Sequence, residues 1–275
     1  MQRELTNILG TVGATHVRFL FGLPFSIVFL GLVLVGTGVP LPSLSVTAFT
    51  WTLAGSIAQI GATALLLAAM RERSFVVTTA YAKTEPVQVA IFGLIFLGDH
   101  VTPAMALAIV IATAGVLIVS WPRKDAAQPF TWGPAILGIA SGALFAIAAI
   151  GFRGGIRAIE TPSFVMAATF ILVLGLALQT AILTTYLAVT DRKTLVAIFH
   201  AWRPSLMAGF AGAFASQMWF LAFALETAAK VRTLALIEIL FAQIISRNLF
   251  KQSLASREAL GIGLIIVGVV VLLNS

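Results

Sequence analysis

Two carboxylates stand where a carboxylate is expensive. Glu85 lies inside the stretch Phe75 to Leu97 (FVVTTAYAKTEPVQVAIFGLIFL) and Glu238 at the centre of Val231 to Phe250 (VRTLALIEILFAQIISRNLF). Both stretches are long and apolar enough to cross a bilayer. An acid at a helix centre costs about 2.5 to 3.5 kcal/mol on insertion, while each Leu, Ile, Phe or Val returns only about 0.3 to 0.6. Acids kept at that cost can contact the cationic part of a substrate or carry a coupling proton. The packing alternative is a carboxylate held by a partner such as Lys83 or Arg232 to settle how helices meet. Lys83 is two residues from Glu85, so on a regular helix the two point about 200° apart. Tyr81, four residues back, shares the face of Glu85. Pro86 removes a backbone donor and disfavours helical geometry at Glu85, which predicts a break at mid-membrane, where carriers place their sites. Gln59 and Gln217 sit in runs of small residues (GSIAQIGA and GAFASQMW), where a buried amide either bonds a neighbouring helix or lines a pocket.

Other chemistries are not supported. GIASG (Gly138 to Gly142) is not a nucleophile elbow, GIGLIIVG (Gly261 to Gly268) lacks the dinucleotide spacing, and no Gly-rich loop ends in Lys-Ser or Lys-Thr. There is no cysteine, which removes thiolate metal sites and Cys nucleophiles. His16, His100 and His200 stand alone near span ends and read as solvated loop residues. No enzyme activity, cofactor or metal is expected.

Elements that could position the acids are plain in the composition. Of 275 residues 60% are hydrophobic and 10% charged, with a mean hydropathy of +1.05, against about 25% charged in soluble domains. Nine apolar runs of near-bilayer length, unbroken and therefore helical, predict an all-α integral membrane protein, a polytopic helical bundle. The connections are short, DRKTLVAIFHAWRP among them. Net charge is +7, but the basic residues form no tract, which fits loops against anionic lipid rather than nucleic acid. More of them lie on the face of the N-terminus, Arg18, Arg192, Lys193 and Arg203 included, which places that face in the cytoplasm.

The two acid-bearing stretches superpose. A slide of 153 residues lays Glu85 on Glu238, Leu107 on Leu260 and Gly115 on Gly268, the mark of an internal repeat. Spans one to four then match six to nine, and span five has no partner. The expected organisation is a first repeat over residues 1–122 with four spans and a second over 131–275 with five. The ancestral unit would have five helices, the first unit being short by one through a misplaced start or a genuine truncation. An odd helix number per unit makes them inverted repeats.

With that organisation and the stretch EPVQVAIFGLIFLGDHVTPAMALAIVIATAGVLIV, the chain resembles the EamA-like branch of the drug/metabolite transporter superfamily. Pro86, Gly98, Asp99 and Gly115 occupy the places of that family's helix-four proline, Gly-Glu turn and Gly-rich fifth helix, with Asp for Glu. In the second copy Ile239 replaces the proline and Lys251-Gln252 replaces Gly-Glu. The resemblance implies a ten-helix basket that carries small polar or amphipathic metabolites by alternating access in the inner (plasma) membrane, with protons as a candidate coupling ion. Glu85, Glu238, Lys83, Tyr81, Gln217 and Gln59 are the expected substrate-binding residues, with Pro86 as the helix break. The alternative is a non-transporting paralogue or an assembly partner within the membrane.

Overall fold

The computed structural model of the chain describes residues 2–72, 81–120, 132–200, 202–241 and 256–275. Their helices are, in order, α1 (Gln2–Leu20), α2 (Leu23–Thr37), α3 (Val46–Glu72), α4 (Glu85–Phe92), α5 (Pro103–Ser120), α6 (Trp132–Arg157), α7 (Phe164–Thr190), α8 (Arg192–His200), α9 (Trp202–Leu225), α10 (Ala228–Leu234) and α11 (Ser256–Leu273). A π-helical turn, Gly93–Leu97, follows α4, and a 3-10 turn, Ala235–Ile237, follows α10. No strand occurs among the described residues. Among the described residues seven stretches are long and apolar enough to span a membrane: Leu9–Thr37, Val46–Met70, Pro103–Ser120, Ala135–Arg157, Phe164–Thr190, Ser205–Leu225 and Ser256–Leu273. The chain is thus an all-α, multi-pass membrane protein. The remaining two expected spans, Phe75 to Leu97 and Val231 to Phe250, are the interrupted ones; their residues 75–80 and 242–250 lie outside the described residues, as do the linker around Thr131 and the basic positions Arg73, Arg123, Lys124, Arg247 and Lys251.

The helices form two compact units. One comprises Met1–Leu67 and Ile147–Glu226, the other Ala68–Ala146 and Thr227–Ser275. Each draws on residues of both expected repeats, 1–122 and 131–275, so spatial grouping does not follow those bounds.

In the first unit α7 packs against α1, α2, α8 and α9. Small residues let backbones meet: a Cβ at Gly151 would fall 2.7 Å from Gly55 Cα, and one at Gly155 2.6 Å from Thr52 Oγ1. In lipid no hydrophobic force draws helices together, so this closeness is what makes dispersion contacts possible. Gly151 and Gly155, four residues apart on α6, serve this close packing. In the second unit α5 and α11 are packed along their lengths. A Cβ at Gly115 would meet Gly261 O at 2.7 Å and Ile265 N at 2.9 Å; one at Gly268 would meet Ala112 N at 2.7 Å and Ala108 O at 2.9 Å. Slid by 153, Ala108, Ala112 and Gly115 become Gly261, Ile265 and Gly268, so the contact maps onto itself. The first unit carries a matching pair. Gly22 approaches Gly209 O, its Cβ position 3.5 Å away, and Ser56 Oγ donates to Gly175 O at 3.4 Å, where Gly22 corresponds to Gly175 and Ser56 to Gly209.

Two expectations need correction. The stretch DRKTLVAIFHAWRP is not a loop, because Arg192–His200 forms α8. His16 is not a solvated loop residue either: it is fully buried on α1, its Nε2 3.0 Å from Thr184 Oγ1 of α7. The polar N-terminal stretch misled because α1 is amphipathic, with Leu9, Ala14, Val17 and Phe19 on its buried side. His100 and His200 are exposed, as expected.

Candidate functional site

Backbone breaks set up the site. Residues Lys83 and Thr84 form a turn in which Thr84 N and Oγ1 both donate to Tyr81 O, at 3.3 and 2.9 Å. Helix α4 then starts at Glu85 with Pro86 in its first turn, where a missing N–H leaves no bond unmade. In the other segment α10 ends at Leu234, the 3-10 turn runs through Ile237, and Glu238 follows at once in helical geometry. The 153-residue slide places Lys83 and Thr84 on Leu236 and Ile237. Each acid therefore comes directly after a discontinuity, although only the first is marked by proline.

The charges are paired crosswise. Lys83 Nζ makes a hydrogen-bonded ion pair with Glu238 Oε1, and Arg232 Nε lies 3.1 Å from Glu85 Oε1. The latter is an ion pair by distance rather than an aligned hydrogen bond. Each acid thus takes its cation from the other segment. The quartet has no net charge, so mutual attraction offsets part of the desolvation cost of placing four ions in apolar segments. Its two halves differ in access: side-chain exposure is 23% at Lys83 and 56% at Glu238, against 18% at Arg232 and 12% at Glu85. An accessible pair can part and re-form at little cost, whereas an enclosed one strands a charge when it parts.

Of the residues expected to bind substrate, Glu85, Glu238 and Lys83 come together here, with Arg232 as the fourth member. Tyr81 is half-buried across the turn from Glu85, and the break removes the regular four-residue register that would have aligned their side chains. Gln59 and Gln217 belong to the other compact unit, and both bond α7: Gln179 Nε2 donates to Gln59 Oε1 at 2.7 Å, and Gln217 Nε2 donates to Thr169 Oγ1 at 2.9 Å. Of the two uses open to a buried amide, each makes the bond to a neighbouring helix. Gln217 Oε1 remains buried with no hydrogen-bond partner among the described residues.

Sequence reasoning missed Gln88. It lies one turn beyond Glu85, and its buried Oε1 has no hydrogen-bond partner among the described residues, while Nε2 reaches only Thr84 Oγ1 at 3.5 Å. Gly142 of α6 faces it, with a Cβ position 3.5 Å from Oε1. The i, i+3 spacing from Glu85 was the signal available. No group of three or more His, Cys, Asp or Glu able to hold a metal occurs among the described residues.

No family model matches the chain, and no curated protein does. Solved structures do match, 26 chains in all. One, a crystal structure described only as that of a protein, aligns at a TM-score of 0.69 and 14% identity, covering 98% of this chain and 89% of its own. At that identity the likeness is one of fold alone.

Proposed function

We propose that the chain is a secondary carrier of small polar metabolites in the cell membrane, of the EamA-like kind, whose substrate is met at the Lys83–Glu238 pair. The observation that carries this reading is the crossed quartet at two matched helix breaks. Structural ion pairs have no need of broken helices, and broken helices within apolar spans leave backbone groups that a polar solute can use. Arg232 and Glu85 hold the two segments together. Lys83 and Glu238 open to exchange their mutual contact for contacts to a solute with complementary charges, and Gln88 supplies a further hydrogen-bond acceptor beside them. The contacts that map onto themselves under the 153-residue slide support a duplicated design, the usual basis of alternating access.

The test is resistance of overproducing cells to a panel of toxic metabolite analogues, with parent, Glu85→Gln and Glu238→Gln brought to equal membrane levels. A carrier gives resistance to some compound that Glu238→Gln abolishes or makes pH-independent. Parental resistance in both variants at every growth pH makes these acids packing residues. No resistance to any compound, with the ion pairs still needed for folding, favours the non-transporting assembly partner.

A further inference from the structure

Helix α8 joins two membrane-length stretches, ending at Thr190 and starting at Ser205, and so belongs to the membrane boundary rather than its interior. Its start is fixed by Asp191, whose carboxylate accepts from Thr194 N at 3.1 Å and Thr194 Oγ1 at 2.6 Å. Its inner side docks on α1. Ile198 is fully buried, and a Cβ at Gly13 would lie 2.8 Å from Thr194 Cγ2 and 3.9 Å from Ile198 Cδ1. At 100° per residue the opposite side presents Phe199, Arg192, Val196, His200 and Lys193 in that angular order, and all five are exposed. Directly after it come Trp202 and Arg203, both exposed, with the guanidinium 5.4 Å from the ring centroid.

We infer that α8 and the Trp202-Arg203 corner form an interfacial surface for anionic phospholipid, with Val196, Phe199 and Trp202 at acyl-chain level and Arg192, Lys193 and Arg203 on headgroup phosphates. Three features favour that occupant over a protein. Large apolar side chains lie beside cations on one outward face, the composition of helices that lie in the membrane plane. The face adjoins the ends of two stretches of membrane-spanning length. Its charge is complementary to an anionic leaflet, and each cation near such a surface contributes about 1 kcal/mol, or roughly fivefold in lipid preference. Asp191, just before the helix, stays anionic against Thr194 and offsets part of the charge of Lys193, which leaves the surface with a net positive charge. The inference does not depend on what the protein carries.

The absence of cysteine allows a direct measurement, since Phe199→Cys and Val196→Cys each create a single labelling site in the full chain. Spin-labelled at either position and placed in liposomes, the protein should show collision with oxygen well above collision with a water-soluble nickel chelate. A fluorophore at residue 199 should be quenched more by brominated phosphatidylglycerol than by brominated phosphatidylcholine. That preference should fall roughly 25-fold in Arg192→Gln/Lys193→Gln, whose two removed cations lie off the packed face. Gly13→Leu, which lifts α8 from α1, controls for loss of docking and should mobilise both labels in either lipid. Equal access of the nickel chelate and of oxygen, or equal quenching by the two lipids, overturns the inference. So does protection that persists unchanged in lipid-free detergent, which would mean a protein segment covers the face.

Discussion

The two compact units bury polar groups in opposite ways. The first uses neutral partners, Gln59 with Gln179, Gln217 with Thr169, and His16 with Thr184, all crossing to α7. The second uses full charges, Lys83 with Glu238 and Arg232 with Glu85, joining two interrupted segments. A neutral bond between membrane helices adds a modest increment, about 0.6 kcal/mol on average, and loses little when broken. A buried ion pair adds little beyond what its desolvation takes away, yet removing one member is severe because the other charge is stranded. The first arrangement suits helices that stay in register. The second suits segments with more than one paired state, because the quartet can exchange one opposite charge for another without leaving any charge alone.

The largest break in this comparison should come from Arg232. Replacing it with methionine keeps much of the side-chain volume and leaves the enclosed Glu85 carboxylate without its cation, so destabilisation of about 3 to 5 kcal/mol is expected, read as loss of thermal stability in detergent. The double variant Arg232→Met/Glu85→Leu should regain most of it, because two apolar groups replace two charges. If the double variant is as unstable as the single, the pair does not act as a unit.

Lys83 and Glu238 should behave differently. Both are more open, so Lys83→Gln or Glu238→Gln should change stability by under about 1 kcal/mol. Under the carrier reading, the same variants should nonetheless lose the resistance phenotype. A large thermal shift without change in resistance would reverse the roles given to the two pairs.

Gln179→Leu tests the neutral side. It leaves Gln59 Oε1 without its donor, and the expected cost is about 0.6 to 1.7 kcal/mol, measured in the same detergent as the Arg232 series. A cost equal to that of Arg232→Met would erase the distinction between the units.

Much of this contrast was legible in the sequence, and the exceptions have physical causes. The cost of charge in an apolar span singled out Glu85 and Glu238 with Lys83 and Arg232 beside them, and the proline signalled a break, which falls at Lys83–Thr84 while Glu85 itself opens helix α4. The second break was not legible, because Ile239 stands in the proline's place and a 3-10 turn at Ala235–Ile237 has no residue type of its own. Gln88 was hidden because an amide carries no charge, so nothing flags one whose oxygen finds no donor. His16 was misplaced because its neighbours Thr11, Thr15 and Arg18 make α1 polar by composition while its apolar residues occupy one side. Helix α8 was read as a loop because nine residues with basic ends give no span signal. The interleaving of residues 1–122 and 131–275 into two compact units depends on long-range packing, which no local pattern carries.

The smallest expected effect concerns a charged contact at the rim of the first unit. Hydrogen bonds from the Thr194 hydroxyl, and then from the Thr194 backbone N–H, hold the Asp191 carboxyl below its ordinary range. A depressed carboxylate stabilises the fold above its unfolded pKa of about 3.9, and that contribution disappears as pH falls through the lower folded value. Helix α8 should therefore loosen locally on acidification. The label at residue 199 should gain mobility near and below pH 4 in the parent, while Asp191→Asn, which keeps a cap acceptor but no titrating charge, should show a flat profile. The interior bonds of Gln59, Gln179, Gln217 and Thr169 carry no titrating group and should not respond. If the Asn variant loosens over the same acid range as the parent, the response comes from elsewhere and Asp191 is no more than a neutral cap.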